Sequence, residues 1–376
     1  MSIGDLALVL HAHLPFIRHP EHRFHLEEHW LYEATTATYL PLLDVFRSLA
    51  RDGVPYRMTM SMSPPLCTML RDDLLKTRTA AYLDKLLRLG HEELNRTQGD
   101  PTFHRLAGFY LERFTRLKAL YDDIRGDVVG AFRQLQDDGM LEIITVGATH
   151  GYLPVVREPS ARRAQIQVAC ESYQRMFGRW PRGMWLPECG YTEGLDAILA
   201  DAGLRYFFVD AHGLLNARPQ PPLGIHAPVF CKTGVAAFGR DLESSKQVWS
   251  SKEGYPGDGV YRDFYRDIGF DRPSEYIAPY VHPDGIRVNT GYKYFRVTGA
   301  DVDLSAKQPY DPDAARDRAA QHAGNFMFNR EKQVEHLAKN MDRRPLVISP
   351  YDAELYGHWW FEGPWFLDFL DRRAHV

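Results

Sequence analysis

Short, unbroken apolar runs recur along this chain. Between them lie longer stretches whose apolar residues return every three or four positions. The runs are Leu6–Leu10, Arg57–Ser63, Leu141–Val146, Gly183–Leu186, Arg205–Val209, Gly234–Phe238 and Leu346–Ser349. A strand wetted on one face alternates apolar with polar, so a continuous run implies a strand covered on both faces, as in a parallel sheet. Arg162–Phe177, Leu195–Ala202 and Ala314–Asn340 read as helices. In the first, Ile166, Ala169, Tyr173 and Phe177 share one face; the second is stopped by Gly203. Strand and helix in alternation predict an α/β fold. Leu75–Asp138 reads as helical and charged, without a strand, and is expected to be an insertion on the barrel. The segment 239–271, rich in Gly, Ser, Tyr and Trp, is too long for a plain connection and reads as a substrate loop.

Polar residues cluster just past the strands. His11-Ala12-His13 follows the first, Gly147-Ala148-Thr149-His150 the third, Pro187-Glu188-Cys189 the fourth and Pro350-Tyr351-Asp352-Ala353-Glu354 the last. In an α/β barrel the active site is assembled at that face from several strand ends. Glu188 is flanked by Trp185, Pro187 and Cys189. Asp352 is flanked by Tyr351 and Leu355, with His358, Trp359 and Trp360 close behind. An apolar setting makes a carboxyl hold its proton. Two such groups meet the needs of glycoside cleavage, where one protonates the leaving oxygen and the other attacks or activates water from the opposite side. Aromatic rings suit the apolar faces of sugars, and histidines suit their hydroxyls. Either carboxylate alone reads as well as a hydrogen-bonded turn residue; their joint placement with three histidines favours a site.

A length of 376 residues suits such a barrel. The hydrophobic share of 44% supports a large core, and 25% charged residues is an ordinary globular fraction. With 45 basic against 49 acidic residues and no basic stripe, no footprint for nucleic acid is present. Cys67, Cys170, Cys189 and Cys231 show no C-x-x-C spacing, which reads as free thiols in a reducing compartment. Met1–Asp5 leads directly into the first strand without an export signal, so a cytoplasmic location is expected. No apolar run approaches ~18 residues, so no membrane span is expected.

The segments Leu10–Phe16 (LHAHLPF), Gly139–Pro154 (GMLEIITVGATHGYLP), Gly183–Tyr191 (GMWLPECGY) and Ser349–Gly363 (SPYDAELYGHWWFEG) together resemble glycoside hydrolase family 57. The resemblance implies a (β/α)7 TIM-like barrel and a retaining mechanism on α-1,4-glucans, with Glu188 as nucleophile and Asp352 as acid/base. It puts His11, His13 and His150 in the first sugar subsite and requires no metal or organic cofactor. Phe238–Asp241 (FGRD), Ser244–Ser250 (SSKQVWS) and Gly254–Asp258 (GYPGD) are similar to the family's branching enzymes rather than its amylases or 4-α-glucanotransferases. That implies transfer of a cleaved chain to a 6-hydroxyl of an α-glucan partner, in glycogen biosynthesis, with α-1,4-glucan hydrolysis or 4-α-glucan transfer as the alternative within the family. Arg240, Asp241, Trp249 and Tyr255 join Trp185, His358, Trp359 and Trp360 as expected substrate-binding residues; Trp249 and Tyr255 read equally well as anchors of the loop. Transfer over hydrolysis needs water excluded and an acceptor held. The family's branching enzymes continue into a C-terminal helical domain; this chain stops at Val376, soon after the Asp352 motif, so that domain is expected to be absent. The family's loop-tip tyrosine has no counterpart in Cys231–Gly239, which contains no Tyr.

Three other readings compete. His11, His13, His150 and Asp352 could form the zinc set of a barrel hydrolase, but this leaves Glu188 and the aromatic cluster without a role. His25-Leu26-Glu27-Glu28-His29 fits an H-x-x-E-H zinc motif, yet His19–His29 reads as a loop rather than the helix that motif requires. A glucan-binding barrel without turnover would be expected to have lost Glu188 or Asp352, and both are present. Glu354, two positions beyond Asp352, would point the same way in extended chain and is the alternative acid.

Overall fold

A computed structural model describes residues 2–250, 253–299 and 301–374. Eight strands form one curled sheet: β1 (Asp5–Ala12), β2 (Met58–Met62), β3 (Leu141–Val146), β4 (Gly183–Trp185), β5 (Tyr206–Val209), β6 (Val229–Phe230), β7 (Ala236–Gly239) and β8 (Leu346–Asp352). Their order across the sheet is β6-β7-β5-β4-β3-β2-β1-β8. Seven strands run parallel, and β6 is an antiparallel edge paired with β7. All seven apolar runs became strands. β6 escapes sequence reading because two residues carry no periodicity. β8 continues past the expected Ser349 to Asp352, so the acidic residue stands on the strand itself.

Ten helices of the first two thirds are α1 (Glu28–Ala34), α2 (Leu40–Arg51), α3 (Pro64–Arg71), α4 (Asp73–Arg96), α5 (Pro101–Asp123), α6 (Val128–Asp137), α7 (Pro159–Phe177), α8 (Leu195–Asp201), α9 (Ala211–Leu215) and α10 (Leu242–Trp249). Two long ones, Pro312–Ala338 and Gly363–Arg373, flank β8. Many start on the same chemistry: Ser63, Asp72, Asp100, Asp127, Asp241 and Asp311 each accept a hydrogen bond from a free main-chain N–H of the first turn. The stretch between β2 and β3 is helical almost throughout. Between α1 and α2 the chain widens into a π turn, Thr35–Tyr39, a local feature that often accompanies functional sites. Among the described residues no helix is long and apolar enough to cross a membrane, and all four cysteines are free thiols.

Alternation along each strand divides the core. Leu8, Leu10, Ala12, Met58, Met60 and Met62 pack outward against helices. Val9, Ile144, Val146, Trp185, Phe208 and Ile348 form a separate apolar cluster within the curl. Between the β6–β7 end of the sheet and β8 the ring is bridged by two main-chain bonds rather than a ladder: Asp241 N–H, just past β7, to Ile348 O at 2.8 Å, and Leu346 N–H to the carbonyl of His226, ahead of β6, at 2.9 Å.

Candidate active site

The apolar plug of Val9, Ile144 and Ile348 fixes what lies above it, since a residue two positions further along a strand points the same way. His11 lies two positions beyond Val9. It is in register with Ser61 on β2 and with Asp352 on β8. His11 and Asp352 therefore emerge at the C-terminal end of the sheet, in the floor of a cavity of about 780 Å³, with Ser61 buried behind His11. The cavity gathers His11, His13, His150, Trp185, Glu188, Arg240, Trp249, Asp352, His358 and Trp359, the greater part of the residues expected from sequence.

Three imidazoles line one wall. His13 and His150 stack at 3.7 Å between ring centroids and 7° between planes; His11 stacks on Trp185 at 4.8 Å. Burial drives all three below the ordinary histidine range, His13 to about 3, and the proximity of His150 depresses His11 and His13 further. They are neutral at neutral pH and act as hydrogen-bonding groups. His11 Nδ1 meets Ser61 Oγ at 2.6 Å and its Nε2 meets His150 Nε2 at 2.9 Å; His13 Nδ1 meets Ser63 Oγ at 2.8 Å. Both ring nitrogens of His11 and one each of His13 and His150 are thus engaged on each other and on serines, which is not the arrangement of a zinc set. Among the described residues no group of three or more His, Cys, Asp or Glu is arranged to hold a metal ion. Glu28 of the H-x-x-E-H segment is buried on Arg78 at 2.6 Å, and His25 precedes the helix that contains Glu28 and His29.

Glu188 sits in the short turn after β4 with φ 54° and ψ 27°. Cys189 (φ 54°) and His150 (φ 57°) share this left-handed conformation. Each such residue costs about 1–3 kcal/mol and persists only where the surroundings enforce it. The turn leaves the Glu188 side chain exposed to the cavity. Asp352, also exposed, opens onto the same cavity. Burial and the charge of Glu188 raise its pKa, against the opposing pull of Arg240. Arg240 is aimed at this pair by contacts with Pro350 O (3.4 Å), Cys189 Sγ (3.9 Å) and Asp210 Oδ1 (3.9 Å). Glu354 lines the same cavity as Asp352 but its carboxyl is engaged by the protein. The chain turns after β8, and Glu354 Oε1 accepts from Tyr39 Oη at 2.5 Å and from His13 N–H at 3.2 Å. Burial pushes its carboxyl up to about 8, so it is a neutral brace between the π turn and the histidine wall.

Exposed aromatic rings border the cavity: Trp30, Trp249 and Trp359, the last stacked on Phe264 at 4.5 Å. Three expected substrate-binding residues lie elsewhere. Asp241 is buried on Arg330 (3.1 Å) and Gln333 (2.8 Å) and caps α10, because an aspartate at that position satisfies the helix start. Tyr255 is buried, stacked on His322 at 4.3 Å and bonded to Asn325, which favours the anchoring role for it. Trp360 is 1% exposed and packs on Phe366 at 5.0 Å, since neighbouring residues in the loop after β8 face opposite ways. The expected loop at 239–271 includes positions 251 and 252, which lie outside the described residues. The sequence reading omits Trp30, Glu33, Asp210, Phe264 and Asn289 from the lining. Asp210 directly follows β5, so the strand-end rule could have found it; Trp30 and Glu33 come from α1, which offers no such signal. Burial raises Glu33 to about 7 and lowers its neighbour His358, 3.7 Å away, to about 4.

Residues 7–341 match the model of glycosyl hydrolase family 57. The solved α-amylase AmyC from Thermotoga maritima is 44% identical, with a TM-score of 0.95 over 99% of this chain and 71% of that one. The branching enzyme from Pyrococcus horikoshii is 33% identical, with a TM-score of 0.85 over 99% of this chain and 68% of that one. A 1,4-alpha-glucan branching enzyme of Thermococcus kodakarensis is 33% identical over 96% of this chain. The chain spans about half the length of that relative, 54%. On this match and these identities, with an α/β sheet carrying the site at its C-terminal end, the chain belongs to glycosyl hydrolase family 57.

Proposed function

We propose that the protein transfers α-1,4-linked glucan chains with retention of configuration and forms α-1,6 branches. The observation that carries this reading is the pair Glu188 and Asp352, on separate strand ends, electrostatically coupled and opening into one cavity with aromatic walls. Glu188 attacks the anomeric carbon as its bond to the leaving oxygen breaks, and the protonated Asp352 gives that oxygen its proton. Asp352, now a carboxylate, takes the proton of an acceptor 6-hydroxyl. The freed oxygen displaces Glu188 from the glycosyl carbon, and the second inversion restores the original configuration. The three neutral histidines bind hydroxyls of the sugar at the bond to be cut without adding charge beside the nucleophile. Trp30, Trp249 and Trp359 support the glucan chain on either side.

Branching is favoured by the curated branching enzyme at 33% identity and by the segment 238–258. The closer amylase, at 44%, supports a second reading in which water is the acceptor. Incubation with amylose, then sizing before and after treatment with an α-1,6-specific debranching enzyme, separates the two. Short chains released only by debranching are expected; free reducing ends without branches would replace transfer with hydrolysis. Glu188→Gln and Asp352→Asn are each expected to remove turnover, Asp352→Asn by at least about 10²–10⁴-fold, with melting temperatures unchanged. Near-normal activity in either variant would overturn the assignment.

A further inference from the structure

A second cavity, of about 300 Å³, lies on the other side of α1, between α4 and the loop at 279–288. Its charge is one-sided. Arg23, Lys85 and Arg88 line it, and none of the three has a carboxylate partner among the described residues. The one acid in the lining, Glu28, is already neutralised by Arg78, whose Nη1 lies 2.6 Å from its Oε2. Burial, with Arg88 alongside, holds Lys85 down at about 8, as expected for a cation short of a counter-charge. The Lys85 ammonium also lies over the ring of Tyr82, at 5.4 Å. Arg23 and Arg88 are exposed at the rim, so their guanidinium groups are open to an anion, while Lys85 is partly buried. Phe24, which is 55% exposed, Pro279 and Pro283 add flat apolar surface, beside the polar edges of His29 and His282. The volume is at the small end of ligand pockets and is suited to one sugar ring.

We infer that this cavity is a binding site for a small phosphorylated sugar, its phosphate held by Lys85, Arg88 and Arg23 and its ring laid against the apolar wall. Inorganic phosphate shares the anionic half of that chemistry and lacks the ring. The site is separate from the catalytic cavity, so the inference stands independently of the proposed reaction.

The test is calorimetric titration of the full-length protein with glucose 6-phosphate, glucose and inorganic phosphate. Glucose 6-phosphate is expected to bind with Kd about 1 mM or tighter. Lys85→Met and Arg88→Gln should each weaken it about tenfold or more, without lowering the melting temperature of the ligand-free protein. Inorganic phosphate should bind more weakly than the sugar phosphate. Absence of binding, or binding that both substitutions leave unchanged, would overturn the site. Phosphate binding as tight as glucose 6-phosphate would overturn the sugar half of it, and glucose displacing the sugar phosphate equally well would overturn the anionic half.

Discussion

At Asp352 two neighbours act in opposite directions: Glu188 raises the carboxyl's pKa and Arg240 lowers it, on top of the increase due to burial. In the proposed reaction the protonated form is the acid, so activity is lost as pH rises through that pKa. Removing the cation lets the pKa climb further. Arg240→Gln is therefore expected to shift the alkaline limb of kcat/KM to higher pH, whatever it does to KM; a limb that stays in place or moves down would show that Arg240 does not act on Asp352. Glu354 gives a stability test. Its folded pKa, about 8, lies above the ordinary 4.5, so its contribution is fully present below about 4.5 and is lost as pH rises towards about 8. Glu354→Gln keeps the acceptor for Tyr39 and His13 but cannot ionise. Its melting temperature should gain on the wild type across that window, and a constant difference between the two would refute the neutral-brace role.

Among the elements, α10 shows how a loop residue is aimed from below. Arg330 on the helix Pro312–Ala338 is 1% exposed and reaches Asp241 at 3.1 Å and Glu243 at 2.5 Å. Asp241 in turn caps α10, and Ser244 of α10 is tied to β8 by Ser349 Oγ and Tyr351 Oη, both at 2.8 Å. Trp249 at the far end of α10 reaches the cavity from this anchored base. Arg330→Met leaves two carboxylates without their buried partner and is expected to cost about 3–5 kcal/mol and to raise KM for glucan; a variant as stable as wild type would mean that the buried pair contributes little. The elements were legible where physics leaves a local trace. Strands buried on both faces announced themselves as unbroken apolar runs, and Asp352 and Glu188 were visible because they terminate such runs. α1 was not legible, since its Trp30 and Glu33 look like any helix surface until the π turn presses the segment against Glu354. The misplaced residues Asp241, Tyr255 and Trp360 share another cause: in a polar loop, composition does not reveal which of two adjacent side chains turns inward.

On the scale of the molecule, the sheet has one weak seam. Strands β1 and β8 pair over seven registered positions, whereas the β6–β7 end of the sheet and β8 are bridged by the two bonds from Asp241 and Leu346. Local opening follows the least supported contacts. In hydrogen exchange, the amides of Asp241 and Leu346 are expected to exchange well before those of β1 that bond to β8; simultaneous exchange would mean that the ring opens only as a unit.

The pairing of β1 with β8 also bears on how the protein is made. His13 and Glu354, joined by a hydrogen bond, are 341 positions apart. A growing chain therefore carries β1 long before it gains the strand that covers one of that strand's edges. Contacts of such sequence separation form slowly, and an unpaired edge in the interim invites association with other chains. The strand that closes this edge also carries Asp352. In the proposed mechanism, a chain that has not yet added β8 therefore cannot cut glucan, and activity begins only when that strand is in place.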